Sequence, residues 1–491
     1  WTFSWNSLSF SVPTLLCLVK FFRNKCSDNV SNTMNLLVAA FLLVVHTLPP
    51  TSTESLLEGL VPEENFKKHG LALEAVFSMG LRLQAIMDTS SKGNFVVSPL
   101  STTAIISQLL MGADGEFESQ LYDLLSLPKQ VSLYKVTYRT KKYNETQVMP
   151  HANFHLQLSS LVKELRKRKD GELFTLNLDN ALFYNEDIEL RSFFKRSLEI
   201  IYDSDIRPLN FYKDNTASII NKWAEQHTNG LIKTVLQNPL PISTASMFVN
   251  SIYFQAEWET PFSDLINIVD NFHTDENDTV EATYMTGHIS RILYAETKDY
   301  RVTCLPYQNR ELGMYIIFPT RENEHKYDIN KFLEQLKPQE LIQSIVNAKL
   351  KDVVLRIPKL SLSNTLSILK PLQKYTEFKK SEQARHHSDN AIDDVLDKVS
   401  SYKNFTTPHQ RDILLTRAAR GENLRVSDIV QQMVFSINEK GTEAAAVSLG
   451  ITDYMGGSKT VVLNRPFAFF IRHEATLATL FWGSISDPSK N

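Results

Sequence analysis

Glu439-Lys-Gly-Thr-Glu-Ala-Ala-Ala-Val-Ser448 opens a run of small, mostly uncharged side chains that continues through Leu449-Gly-Ile-Thr-Asp-Tyr-Met-Gly-Gly-Ser458. The run separates two strand-like apolar segments, Val434 to Asn438 and Phe467 to Ile471. A long exposed loop inside a compact domain usually carries function. Its first half places Thr442, Ala444, Ala446 and Ser448 at alternate positions, so they share one face of an extended chain. Such a segment can enter a β-sheet without bringing bulk or an unpaired charge to the inner face.

Outward from this loop the C-terminal half reads as strands, at Met247 to Phe254, Met314 to Phe318, Val353 to Leu362, Val434 to Asn438, Phe467 to Ile471 and Leu480 to Ile485. The N-terminal half reads mainly as helices. Leu73, Phe77 and Leu81, with Val76, Leu83 and Ile86, give a helical stripe over about Phe66 to Met87. Phe95-Val-Val is a short buried strand, and Ser98-Pro99 opens a second helix with Ile105, Ile106, Leu109 and Leu110 inward and Gly112 as its stop. Phe174, Leu176 and Leu178 alternate as in a half-buried strand. Helices follow around Phe193 to Ile201 and from Asn215 to Gly230, the latter with Ile219, Ile220 and Trp223. Helices first and strands later indicate an α+β fold rather than repeated βαβ units. The polar stretch 376–407, with Lys379-Lys380 and His386-His387, has little core-forming content and reads as an exposed insertion.

Composition narrows the function. Lys and Arg number 52 against 55 Asp and Glu, a formal net charge of −3, which argues against a general nucleic-acid binder. The three cysteines, Cys17, Cys26 and Cys304, are too few for a disulfide scaffold or a four-cysteine zinc site. Cys304 sits beside Val302 and Leu305 and reads as a buried hydrophobe. No Gly-x-Ser-x-Gly elbow occurs, and His473-Glu474 lacks the second histidine of a zinc-protease helix. Gly456-Gly-Ser-Lys-Thr460 lacks the order of a phosphate loop, and the His386-His387 pair has no further ligand beside it. No catalytic constellation or metal site emerges, so the chain is not expected to be an enzyme.

Trp1 is not a translation start, and the first methionine is Met34. Residues 1–33 are expected to be untranslated message read through, a longer precursor being the other option. From Met34 an apolar run of signal-peptide length ends at Pro49-Pro50, so 34–53 is read as a secretory signal. No other stretch has the length to span a bilayer. Cleavage would remove Cys17 and Cys26 and leave a large core to hold the secreted protein. Asn144-Glu-Thr, Asn277-Asp-Thr and Asn404-Phe-Thr are sequons that a secreted chain would offer for glycosylation.

Four motifs in order resemble those of the serpins. They are Asn94-Phe-Val-Val-Ser-Pro-Leu-Ser101, Asn250-Ser-Ile-Tyr-Phe-Gln-Ala-Glu-Trp258 with Phe262, the hinge Glu439-Lys-Gly-Thr-Glu-Ala-Ala-Ala446, and Leu463-Asn-Arg-Pro-Phe467. The resemblance covers residues 60–488 as one domain. It implies a large central mixed sheet with further sheets and about eight or nine helices, and a reactive loop over 439–462. It further implies a suicide-substrate inhibitor. An extracellular serine protease attacks the loop and forms an acyl-enzyme. The cut loop then inserts as a new strand before water can release the enzyme. A strand of ~15 residues at about 3.3 Å per residue reaches roughly 50 Å, far enough to carry the enzyme between poles. The hinge Glu439, Gly441, Thr442, Glu443, Ala444, Ala445 and Ala446 meets the demand for small uncharged residues at inward positions, with Glu443 turned to solvent.

Family spacing places the reactive bond at Met455-Gly456, with Tyr454 the alternative residue before the cut. Methionine suits the apolar primary pocket of elastase-like or chymotrypsin-like enzymes. The resemblance assigns Ser98, Ser101, Asn250 and Gln431 to a polar cluster where the sheet opens, and Trp258 to the point of loop entry near Glu439. Gln431 stands where the family usually has histidine, so that cluster has no titrating imidazole there. Gln255-Ala256 replaces a more usual Lys-Gly, and the insertion lengthens the usual loop. Lys163, Arg166, Lys167, Arg168 and Lys169 end a predicted helix. In some serpins the corresponding helix binds heparin-like glycosaminoglycan as an accelerator, although cations at a helix C-terminus are favourable without any ligand. No other cofactor is implied, nor a nucleic acid, a membrane span or an oligomer. A non-inhibitory serpin, acting as carrier, chaperone or storage protein, and a cross-class inhibitor of cysteine proteases are the rival readings.

Overall fold

The structure is a computed structural model. It describes residues 63–490 except 87–92, 129–133, 140–143, 150, 167–173, 214, 229, 231, 242, 264–265, 276, 337, 376–412 and 443–457. Outside the described residues lie 1–33 with Cys17 and Cys26, the expected signal 34–53, the whole insertion 376–407, and the cationic residues Lys167, Arg168 and Lys169. Glu443, Ala444, Ala445, Ala446, Tyr454, Met455, Gly456 and the sequon at Asn404 lie outside them as well.

Ser98 and Pro99 start a helix for the reasons their chemistry gives. Pro99 occupies the first turn, where its missing N–H is not needed, and the Ser98 hydroxyl accepts the Ser101 N–H at 3.2 Å. The resulting helix, Pro99–Gly112, is buried along its whole length, wider than the one-sided stripe expected from Ile105, Ile106, Leu109 and Leu110. Gly112 ends it at a crowded spot, where a Cβ would stand 3.0 Å from Phe194 and 3.1 Å from Leu415. In chain order the helices that matter here are α1 (Glu63–Ile86), α2 (Pro99–Gly112), α3 (Gly115–Leu124), α4 (Ala152–Arg166), α5 (Ser192–Tyr202) and α6 (Thr216–His227). In α1, Ala72, Leu73, Val76, Met79 and Leu83 are buried at helical spacing. Helix α2 packs on α1, α5 and the central sheet.

The central sheet is built from β1 (Phe174–Asn185), β2 (Asp205–Leu209), β3 (Ser246–Glu257), β4 (Leu360–Ser367), β5 (Asp428–Ile437) and the two-residue β6 (Gly441–Thr442). Its order is β4-β5-β3-β1-β2, with β6 paired to β3. Successive side chains of a strand point to opposite faces, and the core divides accordingly. Leu182 and Phe248 join the main cluster beneath α2, while Ala181, Phe183, Met247 and Val249 pack under Ile220 and Trp223 of α6 on the other face. Ile219 of the same helix is 36% exposed, off that contact.

A second sheet runs Phe95–Val97, Thr479–Ile485, Phe467–His473, Leu312–Pro319, Tyr300–Pro306, Thr279–Glu296, Lys349–Pro358 and Lys459–Val462, with Ile268–His273 paired on Thr279–Glu296. It corrects one expectation. The apolar run Val353 to Leu362 is two strands, Lys349–Pro358 in this sheet and β4 in the central one, and the chain changes sheets at Lys359. Pro358 cannot donate a further ladder bond, which suits a strand end. Cys304 is buried in Tyr300–Pro306, and burial pushes its thiol up to about 12. That leaves it the inert hydrophobe its neighbours in sequence indicate.

Candidate functional site

Strands β3 and β5 run parallel from Met247–Asp428 to Tyr253–Val434 and then part. Into the opening comes β6, with Gly441 opposite Glu257 and Thr442 opposite Ala256 in antiparallel register. The hinge residues Gly441 and Thr442 thus lie at the position of a missing middle strand, while the ladder below them is closed. Only glycine fits at 441. A Cβ there would meet the Ala256 carbonyl oxygen at 2.0 Å and the Glu257 Cα at 2.6 Å.

Trp258 holds this junction, where the sequence placed it. It is fully buried and stacks on Tyr307 with ring centroids 4.3 Å apart. Its backbone N–H donates to the Lys440 carbonyl at 2.8 Å and its indole N–H to the Asn438 carbonyl at 2.9 Å. Glu439 is pinned from another side. Its carboxylate takes an ion pair from Lys359 and a hydrogen bond from the Asn267 amide, and its carbonyl accepts the Phe262 N–H at 2.7 Å. Burial opposes ionisation of Glu439, but the Lys359 ammonium, backbone N–H and Asn267 outweigh it and hold the carboxyl below the usual range. Lys359, Asn267 and Tyr307 were not found from sequence, being separated from the hinge by long stretches of chain.

The Lys359 contact gives a pH-dependent expectation. Because the folded-state value of Glu439 is depressed, its contribution is complete above the unfolded value and is lost as pH falls through the folded one. Lys359→Met should lower stability near neutral pH by about 1 kcal/mol, a modest figure because the lysine is partly exposed. Thermal melts of variant and parent should converge as Glu439 becomes protonated on acidification. A deficit unchanged at acidic pH would remove the ion pair as its cause.

The polar cluster lies midway down the closed ladder. Gln431 and Asn250 are register partners there. The Ser101 hydroxyl donates to Asn250 Oδ1, and Asn250 Nδ2 donates to Asn180 Oδ1 at 2.9 Å and the Asp179 carbonyl at 3.2 Å. Gln431 Nε2 reaches Thr102 Oγ1 at 3.2 Å and Asn250 Oδ1 at 3.5 Å. Its Oε1 is buried with no partner among the described residues. The Ser98 hydroxyl caps α2, and among the described residues no hydrogen bond joins it to Asn250. The group brought together is therefore Ser101, Asn250 and Gln431, with Asn180 and Thr102 added.

Lys163 and Arg166 end α4, Lys163 exposed and Arg166 partly buried. Arg166 is held by Asp179 and Asp203 at 3.1 Å each, and Lys163 donates to the Ile200 carbonyl at 3.4 Å. Two sequons have defined positions. Asn277 is exposed in the turn between Ile268–His273 and Thr279–Glu296, and Asn144 begins the strand Asn144–Met149. Among the described residues no helix is long and apolar enough to cross a membrane, and no group of three or more His, Cys, Asp or Glu is arranged to hold a metal.

The family model described as "Serpin (serine protease inhibitor)" matches residues 74–488. Serpin A3-7 of Bos taurus is 26% identical over 468 residues, covering 93% of this chain and 97% of that protein. Leukocyte elastase inhibitor of Xenopus laevis is 26% identical over 409 residues, covering 82% of this chain and 95% of the relative. Among solved structures, human thyroxine-binding globulin in complex with thyroxine aligns at a TM-score of 0.65 and 18% identity, over 86% of this chain and 99% of that one. The thermophilic serpin tengpin in its native state aligns at 0.64 and 22%, over 91% and 98%. At these identities the solved structures speak to the fold alone.

Proposed function

The chain belongs to the serpin family, and from that premise we propose that it is a suicide-substrate inhibitor of extracellular serine proteases, elastase-like or chymotrypsin-like in preference. The carrying observation is the junction at β6. Gly441 and Thr442 are paired to β3 while Met247–Tyr253 remains paired to Asp428–Val434 below them. Insertion then needs no new nucleation. It extends an existing register downward as β5 moves off β3, and each residue gains main-chain hydrogen bonds. The small residues that follow in sequence suit that path. Similarity to an elastase inhibitor supports the choice of target class. Reaction would proceed at Met455-Gly456, with Tyr454 as the competing position, and the acyl-enzyme is trapped when sheet insertion outruns hydrolysis. The apolar segment within 34–53 would direct the chain out of the cell, and Asn277, Asn144 and Asn404 would carry glycans. At α4 Arg166 is paired with Asp179 and Asp203, so glycosaminoglycan acceleration there would rest on the exposed Lys163 together with Lys167, Arg168 and Lys169.

Incubation with elastase, chymotrypsin and trypsin, followed by denaturing gels, tests this reading. A band near the summed mass with elastase or chymotrypsin is expected, with a released C-terminal peptide starting at Gly456. Cleavage without any covalent band would favour a non-inhibitory carrier instead. A covalent band confined to a papain-like enzyme would point to cross-class inhibition of cysteine proteases.

A further inference from the structure

A cavity of about 700 Å³ lies on the second sheet, away from the hinge, where the segments 296–301, 318–322 and 460–465 meet. Its lining carries Lys298, Arg301, Arg321 and Arg465 against the carboxylates Glu296 and Glu322. Glu296 is committed elsewhere, to Arg301 at 2.7 Å and to Lys459 at 3.4 Å. Among the described residues no carboxylate pairs with Lys298, Arg321 or Arg465.

Arg465 is the unusual member. Its side chain is buried, 6% exposed, over the Phe318 ring, with the guanidinium carbon 4.1 Å from the ring centroid. Nη2 donates to the Pro319 carbonyl at 2.6 Å and Nη1 to Asn464 Oδ1 at 3.3 Å, but Nε–H is buried without a partner among the described residues. Burial, then the neighbouring Arg321 and Arg301, pushes its guanidinium down to about 10, although Tyr327 acts the other way. A buried cation is ordinarily paired, because the desolvation of an unpaired one is costly. Here the nearby charges are mostly of its own sign. On the same walls Thr460 adds a hydroxyl donor that suits an oxygen ligand, whereas the Thr320 hydroxyl is spent on the Lys298 carbonyl.

We propose that this cavity is a binding site for a small phosphate- or sulfate-bearing solute, seated between Arg465, Arg321 and Lys298. An oxyanion there supplies the missing countercharge, and guanidinium groups suit its oxygens through paired N–H donors. The site has a mechanical consequence. Thr460 and Val462 close the reactive loop and Asn464 and Arg465 follow it, whereas Lys298 and Arg321 stand in the turns after the strands Thr279–Glu296 and Leu312–Pro319 of the sheet body. A bound anion therefore ties the strand Lys459–Val462 to that body and slows its detachment.

Inorganic pyrophosphate is the probe, titrated into the full chain with sodium chloride controls at matched ionic strength. A saturable rise in melting temperature above the chloride control is expected, together with slower amide exchange over 459–465. In the double variant Lys298→Ala, Arg321→Ala, whose altered side chains are on exposed residues, affinity should fall at least about tenfold. Its unliganded melt and its covalent complex with protease should be those of the parent. A sulfated monosaccharide and a long sulfated polysaccharide form the second arm. Competition by the monosaccharide supports the pocket. Binding seen only with the long chain would overturn it in favour of a diffuse surface field. A shift no larger than chloride gives, or one unchanged in the double variant, would overturn it as well.

Discussion

Ala444→Arg is expected to leave the protein folded and cleavable while abolishing its covalent complex with protease. The register at the hinge supplies the reason. Gly441 faces Glu257 and Thr442 faces Ala256 across an antiparallel pair, so insertion continued in step sets Ala444 opposite Phe254 and Ala446 opposite Ile252. Residues directly opposite share a face. Ala256, Phe254 and Ile252 are 1%, 1% and 0% exposed, and Phe254 packs on Phe481 with centroids 5.0 Å apart. An arginine at 444 would bring its charge into that packing with no partner, at a cost of several kcal/mol in practice. A barrier raised by even ~3 kcal/mol slows insertion more than a hundredfold, and hydrolysis of the ester then wins. On a denaturing gel the parent should give complex, and the variant only the cleaved form. Glu443→Arg is the control, because it falls opposite Gln255, which is partly exposed, and should retain complex formation. Undiminished complex with Ala444→Arg would mean that this face is not buried in the trapped state.

How far these elements were visible in the sequence differs from one to the next, for physical reasons. Ser98-Pro99 announced α2 because capping is a local matter of adjacent residues. Strands of the C-terminal half showed as apolar runs where both faces are covered, as in Leu312–Pro319 and Thr479–Ile485, whose residues are all buried. The break in Val353 to Leu362 was hidden because buried apolar residues recur on both sides of it, at Val353, Leu355, Ile357, Leu360 and Leu362. Apolar residues continue through the crossing, and only Pro358-Lys359 marks it. Lys359 has no signature of its own in the sequence, but the crossing aims it at Glu439, a pairing across chain too distant for any pattern to reveal. Gln431 against Asn250 was legible only by resemblance, and its half-satisfied amide only in three dimensions. Arg166 illustrates the opposite case. A run of cations in sequence looks like an electropositive face, yet Asp179 and Asp203 neutralise this member from other elements. The anion cavity has no linear signature at all, because its cations come from three separated segments.

Cutting the loop at its reactive bond should raise the melting temperature, and this is the second large effect. In the uncut chain, seven residue pairs join β3 to β5 below the hinge, from Asp428–Met247 to Val434–Tyr253. Opening them removes one parallel ladder and replaces it with two antiparallel ones, on either side of the incoming segment 443–455. Antiparallel pairing is somewhat more stable per residue, and the backbone groups of β3 and β5 beyond Tyr253 and Val434 gain partners. With about 1 kcal/mol net per added hydrogen bond, the gain is on the order of 10 kcal/mol. The buried Gln431 Oε1, orphaned in the closed ladder, marks a place where the closed arrangement is imperfectly satisfied and has less to lose on opening. For a large domain, a gain of that size moves the melt upward by at least about 10 °C. Calorimetry on intact protein and on protein nicked once after Met455 measures it directly. Nicked Ala444→Arg should show a smaller rise, reduced by the several kcal/mol that its buried charge costs, and should reach it more slowly. An equal melt for intact and nicked parent would mean that the uncut fold holds no energy in reserve, and the trapping mechanism would have no source of force.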